Sequence, residues 1–276
     1  MKRSTISAAI ITLNEERNLP QLLQRLDWAD EIIVVDGGSR DATIEIARDR
    51  ASAVVVRKFD SFAEQRNLAL RMSNCDWVLS VDADERPTRA LAEEVRGRIE
   101  HAREAAFRVP IRSSIFGRRV RFSGTQGDRP VRLFRRSAGN WSGDVHERLR
   151  IDGQIGTLRH WLEHETLPDL ASFLAKMNRY TTLAARERVA ASLPPRRRDA
   201  WLSPAREVFR RLIWKHGLLD GPEGWAFCLL SGLSEWVLWH KHRQLWRDAD
   251  VSFQPGTGPA GQQTAAGVIP PPHFSS

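Results

Sequence analysis

Cysteine is scarce in this chain of 276 residues: Cys75 and Cys228 are the only two, each set among apolar neighbours and far apart in sequence. No disulfide framework and no zinc ligand set can be assembled from them, which excludes a cystine-stapled secreted scaffold and points to a reducing compartment. Long apolar runs are missing as well. The longest, Trp225 to Trp239, is broken by Ser231, Gly232, Ser234 and Glu235 and falls short of the ~20 residues that span a bilayer. Met1 to Thr5 leads straight into a strand-like run without an apolar leader segment, so the expected location is the cytoplasm. Hydrophobic residues at 41% and charged residues at 28% describe a globular protein of one or two domains and exclude a disordered or collagen-like chain.

Charge is unevenly spread. Residues 1–100 carry 15 basic and 18 acidic side chains, whereas residues 101–276 carry 27 and 16, within an overall net charge of +8. The basic surplus of the second part suits an anionic partner, and it also suits the solvated faces of an arginine-rich protein.

The first hundred residues alternate apolar runs with amphipathic segments, the pattern of βαβ units on a largely parallel sheet. Strands are predicted at Ile6–Leu13, Glu31–Asp36, Ala53–Arg57 and Trp77–Val81. Helices are predicted over Glu15–Leu26 with Asn14 as cap, Ala42–Arg50, Phe62–Met72, and from Thr88 through His101. Gly117 to Arg159 suits short antiparallel strands and loops, and residues 166–250 are mostly helical, interrupted at Pro194-Pro195 and Gly221-Pro222. Residues 251–276 hold no Asp, Glu, Lys or Arg and five prolines, the composition of a disordered tail. The predicted organisation is an α/β domain at 1–165, a basic, Trp-rich helical region at 166–250 and the tail at 251–276.

Chemistry concentrates at strand ends. In Val81-Asp82-Ala83-Asp84-Glu85, a period of two puts Asp82 and Asp84 on the same side, where two carboxylates can meet one hard cation beyond the carboxyl edge of the sheet. Mg²⁺ or Mn²⁺ held this way commonly meets the phosphates of a nucleotide, although an acidic turn that caps the next helix explains the same residues. Asp36 ends the second strand and Asn14-Glu15-Glu16 the first. Three strands therefore end in acid or amide groups at one edge, with Asp36 placed to accept hydrogen bonds from a uracil or ribose.

Taken in order, Ile10-Ile11-Thr12-Leu13-Asn14-Glu15-Glu16, Val34-Val35-Asp36-Gly37-Gly38-Ser39-Arg40-Asp41, Phe62-Ala63-Glu64-Gln65-Arg66-Asn67 and Asp82-Ala83-Asp84-Glu85 resemble the motifs of the inverting family 2 glycosyltransferases of the GT-A fold. The resemblance covers about residues 5–165. It implies a Rossmann-like, mixed and mostly parallel sheet flanked by helices. It also implies that Thr12, Asn14, Glu16 and Asp36 line a nucleotide-sugar, that Arg66 reaches the base or diphosphate, and that Asp82 and Asp84 flank the metal-bound diphosphate. His164 lies where such enzymes often supply a further metal ligand. The segment Asn140 to Leu149, and more loosely Lys215 to Trp225, resembles the bacterial lipopolysaccharide-core glucosyltransferase branch. No QxxRW-type motif of processive polysaccharide synthases is present, so transfer of one sugar is expected rather than polymerisation.

An inverting transfer needs a base across the sugar from the departing diphosphate. Glu147 is the candidate, with Asp144 as competitor, while His146 faces the other way if the segment is a strand. Trp201, Phe209, Trp214, Trp225, Phe227, Trp236, Trp239 and Trp246 lie among arginines and lysines. That mixture suits contact with anionic lipid headgroups on some faces and packing on others. The expected function is transfer of glucose from a UDP-sugar to a lipopolysaccharide-core or other lipid-linked acceptor by a metal-dependent enzyme, peripheral at the inner face of the cytoplasmic membrane. A nucleotidyltransferase would want a glycine-rich basic loop where Asn14-Glu15-Glu16 stands. A non-catalytic nucleic-acid-binding protein would want a recognition helix or RNA-binding signature, and none is legible, so nucleic acid is not an expected partner.

Overall fold

The apolar runs of the first hundred residues become parallel strands because both of their faces are covered. β1 (Ile6–Thr12), β2 (Glu31–Asp36), β3 (Ala53–Val56) and β4 (Trp77–Asp82) alternate with α1 (Leu19–Arg25), α2 (Thr43–Arg50) and α3 (Phe62–Met72). The computed structural model describes residues 3–125, 127, 129–143 and 148–252. After β4 come β5 (Glu85–Pro87), α4 (Arg89–His101), β6 (Ala106–Arg108), β7 (Ile111–Ile115) and β8 (Arg118–Arg119), then β9 (Val131–Arg135), β10 (Gly139–Ser142), β11 (Arg148–Ile151), β12 (Ile155–Thr157) and β13 (Leu162–Leu167). β1 through β4 pair in parallel, and β9 enters antiparallel between β4 and β6. The result is a mixed, mostly parallel seven-stranded sheet in the order β12-β6-β9-β4-β1-β2-β3.

The chain divides into two compact units, one of residues 1–113 and 127–165, the other of residues 114–126 and 166 onward. Residues 114–126 thus group with the helical region instead of the sheet. Their Ile115 and Val120 share a core with Leu167, Phe173, Met177 and Phe227.

In the first unit, alternation along β1 sends Ile6, Ala8 and Ile10 to one face, with the leucines of α1 and Leu91, Val95 and Ile99 of α4. Ala9 goes to the other face, with Ala69 of α3 and Phe134. Thr88 caps α4 by accepting from Leu91 N at 3.2 Å, and Ser61 caps α3 from Glu64 N, each such cap contributing about 1 kcal/mol. The first helix starts four residues later than its periodicity suggests, and Asn14 does not cap it. Residues 14–16 bond instead to the loop after β2, and Asn18 with Pro20 begins the helix.

Asp30 fastens the sheet to α4. Its carboxylate accepts both terminal nitrogens of Arg96 (2.7 and 2.9 Å) and the Ile6 N–H (2.9 Å). The Arg96 hydrogen bonds, against a small opposing effect of burial, hold the Asp30 carboxyl below its ordinary value. A depressed native value means that the stabilisation is present above the unfolded value of about 3.9 and is lost as pH falls through the native one. Urea unfolding of wild type and Asp30→Asn should therefore differ at pH 6 and converge below pH 3; a constant difference at both would contradict the assignment.

The second unit is built on α5 (Leu170–Ala190), α6 (Asp199–Phe209) and the long α7 (Gly221–Ser252). A π turn over Arg210–Trp214 and a 3₁₀ turn over Gly217–Asp220 join α6 to α7. Gly232 lets α7 approach α6: a Cβ there would clash with the Val208 side chain and meet the Pro204 carbonyl oxygen at 3.2 Å. Asp220 accepts from the amides of Arg121 and Phe122 and from the Ser123 hydroxyl, securing the loop after β8. Among the described residues no helix is long and apolar enough to cross a membrane.

Candidate functional site

The carboxyl ends of β1 and β2 are laced together. Asn14 adopts a left-handed φ of 56°, a conformation asparagine tolerates better than most residues. Its N–H donates to Ser39 Oγ (2.8 Å) and its Oδ1 accepts from Arg40 N (2.9 Å). Glu16 accepts from Ala42 N at 3.1 Å, and Glu15 N donates to Thr43 Oγ1 at 2.8 Å. Asp36, fully buried, accepts from Gly38 N, Ser39 N and Ser39 Oγ at 2.5–2.8 Å. In this arrangement Asn14, Glu16 and Asp36 shape the rim through their own turn contacts. Thr12 differs: its buried hydroxyl has no protein partner and keeps its hydrogen-bonding capacity for a ligand.

At the end of β4 stands a buried ionic quartet. Asp82 Oδ1 accepts from Arg66 Nη2 (2.7 Å), and Asp82 Oδ2 accepts from Arg132 Nη2 (2.7 Å). Arg132 also donates to Glu85 Oε1 (2.6 Å), whose other oxygen accepts from Asp82 N (3.0 Å). Burial alone would raise the Asp82 carboxyl, but the Arg132 and Arg66 guanidinium groups overcome it and hold Asp82 well below the usual carboxylate range. Burial pushes Glu85 up against the pull of Arg132, with the neighbouring Asp82 charge adding to the rise. Arg66 also donates to Ser80 Oγ (3.0 Å) and lies 4.9 Å above the Trp141 ring, so its guanidinium serves Asp82 and the sheet edge.

β4 ends at Asp82, which places Asp84 in the following turn rather than on the strand. β13 runs antiparallel to β5 and sets His164 opposite Glu85. His164 Nε2 then meets Asp84 Oδ2 at 3.0 Å. Burial lowers the imidazole pKa, and the hydrogen bond and charge of Asp84 more than reverse this, leaving it raised. Arg86 closes the turn by donating to the carbonyls of Ala83 and Glu85 (2.8 and 2.9 Å) and to Asn18 Oδ1 (3.1 Å). Burial raises the Glu15 carboxyl nearby, against the hydrogen bond from Asn18.

A divalent cation fits the Asp84–His164 pair by donor chemistry: a carboxylate oxygen and an imidazole nitrogen stand 3.0 Å apart, close enough to share one ion. No cluster of three or more His, Cys, Asp or Glu side chains suited to a metal occurs among the described residues. Two protein ligands leave the rest of the shell to substrate oxygens and water, the usual habit of Mg²⁺ at phosphates. Asp82, with both oxygens paired to arginines, stands beside this pair.

Sequence reasoning missed Arg132, the partner shared by Asp82 and Glu85. Its signal is an arginine inside the apolar strand Val131-Arg132-Leu133-Phe134, where burial demands a countercharge. Asn67 closes the motif Phe62-Ala63-Glu64-Gln65-Arg66-Asn67. Its amide holds the backbone of Trp141 through both Oδ1 (2.9 Å) and Nδ2 (2.8 Å), fixing β10. The next strand is joined at Ser142↔Arg148. Glu147 and Asp144 fall between those two residues and lie outside the described residues.

Residues 7–159 match the family model for glycosyl transferase family 2. The lipopolysaccharide core biosynthesis glycosyltransferase LpsC of Rhizobium meliloti is 28% identical over 250 residues, 86% of this chain and 93% of that one. An uncharacterized glycosyltransferase of Rickettsia typhi is 37% identical over 91 residues, 33% of this chain and 31% of that one. The crystal structure of residues 1–349 of S. aureus TarS covers 90% of this chain and 92% of that one at 15% identity and a TM-score of 0.46. Because the family match extends over more than half of the chain and takes in every strand of the sheet that carries Asp82, this protein is a glycosyltransferase of the GT-A fold and belongs to glycosyl transferase family 2.

Proposed function

We propose that the protein transfers one glucose residue, with inversion, from UDP-glucose to a lipopolysaccharide-core or related lipid-linked acceptor at the inner face of the cytoplasmic membrane. The observation that carries the donor side is the Asp84–His164 pair beside a doubly ion-paired Asp82 at the carboxyl edge of the parallel strands. For the acceptor, support comes from the likeness to LpsC along nearly its whole length.

Asp84 and His164 would hold a Mg²⁺ or Mn²⁺ ion, which when bound offsets the charge that develops on a departing diphosphate. Around it the chain supplies a fixed electrostatic frame. Asp82 stays anionic because Arg66 and Arg132 flank it, and those arginines are themselves neutralised. The Thr12 hydroxyl is available to the nucleoside. Asn14, Glu16 and Asp36 hold the walls of its pocket. On the acceptor side, Glu147 takes the proton of the attacking hydroxyl, with Asp144 as the competing base.

The test is a panel of UDP-, GDP- and dTDP-sugars assayed for nucleoside diphosphate release with lipopolysaccharide-core acceptor, alongside calorimetric titration of UDP. Release is expected from UDP-glucose, and UDP should bind at least 10-fold more weakly in chelator or in Asp84→Asn. Equal titration in Mn²⁺ and in chelator would remove the metal from the scheme, and turnover with a GDP-sugar alone would remove the donor.

A further inference from the structure

The helical unit presents an unusual amount of apolar surface. Trp201 and Trp214 are each 75% exposed and Leu219 is 70% exposed, with Leu202, Phe209, Ile213 and Leu229 also open. Four of these gather at one place. Trp201, Phe209, Ile213, Leu229 and Trp236 are among the walls of one open groove of about 900 Å³ between α6, the π turn and α7, and none of the lining side chains is charged. Packing does account for other aromatics of the region. Phe227 is buried, and Trp239 is buried with its indole N–H donating to Arg196 O at 2.9 Å.

A groove without a polar side chain does not select a polar small molecule, because such sites carry a few placed donors and acceptors among apolar walls. A second copy of the same surface is disfavoured by charge. Residues 196–220, which supply most of the face, hold seven Lys and Arg against three Asp and Glu. Arg196, Arg197, Arg198, Arg206 and Lys215 are exposed there. Two such faces would repel each other, whereas an anionic lipid surface complements both the apolar groove and its basic surroundings. Tryptophan favours that boundary, with its ring at headgroup depth.

We propose that this face docks on an anionic bilayer, with Trp201, Phe209 and Leu229 entering the headgroup–acyl boundary and the groove taking acyl chain. This names the surface behind the proposed membrane location and rests on the lipid-linked acceptor reading only for its purpose. Vesicle binding is measured without donor or acceptor, so either reading can fail alone.

The full chain should co-sediment with phosphatidylglycerol-containing vesicles at low salt, lose most of that binding at 0.5 M salt, and bind pure phosphatidylcholine vesicles at least 10-fold more weakly. Trp201→Ser/Phe209→Ser/Leu229→Ser should lower binding to the anionic vesicles at least 10-fold. Its far-UV dichroism and Tm should be unchanged, since the three side chains are exposed. Brominated phosphatidylglycerol should quench the wild-type tryptophan emission more than that of the variant. Undiminished binding by a folded triple variant, or equal binding to neutral vesicles, overturns the proposal. So does a dimer in light scattering that the substitutions disperse while neither protein binds vesicles, which would make a second copy the occupant. Binding that emerges only on removal of residues 253–276 would make that segment the occupant, and it too overturns the proposal.

Discussion

Arg132→Ala is expected to destabilise the protein by about 3–5 kcal/mol, the usual cost of removing one partner from a buried ionic cluster. Arg132 is almost completely buried and is the cation shared by Asp82 and Glu85. Without it, Glu85 loses its guanidinium partner, while Asp82 keeps Arg66. Acid should return part of the loss. Burial already raises the Glu85 carboxyl with Arg132 in place, so the variant protonates Glu85 more readily, and the neutral acid no longer needs a cation. A native value raised above the unfolded one favours the native state at low pH and penalises it as pH rises through the native value. Urea unfolding at pH 7.5 and pH 5 should thus show the larger deficit at pH 7.5. A deficit below about 1 kcal/mol at both, the range of an exposed ion pair, would mean that the quartet is dispensable.

The second large effect concerns turnover. Glu147→Gln keeps the size and hydrogen bonding of the side chain and removes its basicity, so turnover should fall by about 10²-fold or more. A carboxyl with an ordinary value near ~4.3 is ionised at neutral pH and ready to accept a hydroxyl proton. UDP affinity should persist, because donor binding is assigned to the other side of the sugar. That split, kcat lost with donor Kd kept, separates a base from a residue that merely supports the fold. Near-normal turnover in Glu147→Gln, with abolition in Asp144→Asn at unchanged UDP affinity, would transfer the role to Asp144.

The parallel strands were legible in the sequence because burial on both faces writes them as continuous apolar runs, as in Ile32-Ile33-Val34-Val35. The strand-end residues Asn14, Asp36 and Asp82 were legible for the same reason, since each is the first acid or amide after such a run. Their partners were not. Asp36 is held by a turn three residues on and Asn14 by a loop 26 residues away, and periodicity carries no information about the second kind of contact. The pairing of Asp82 with Arg132 spans 50 residues and is made across the antiparallel contact of β4 with β9. The Asp84–His164 proximity was anticipated from resemblance, but its geometric basis, a turn meeting the register of β13 on β5, could not be read from a period-two strand. The exposure of Trp201 and Trp214 against the burial of Trp239 depends on which helix face the neighbouring helices cover, and spacing alone leaves that open.

The position of β9 has a consequence for the order in which the protein is made. β1 to β4 and their helices come from the first 82 residues and pair with one another through short crossovers, so they can assemble early during synthesis. The far edge of β4 stays bare until β9 arrives about fifty residues later, and with it Arg132. Until then the nascent sheet exposes an unpaired strand edge beside the carboxylates of Asp82 and Glu85, whose mutual repulsion and hydration oppose closure of that end. The carboxylates at the end of β4 thus help to keep an incomplete chain from zipping onto its neighbours before its own missing strand has emerged.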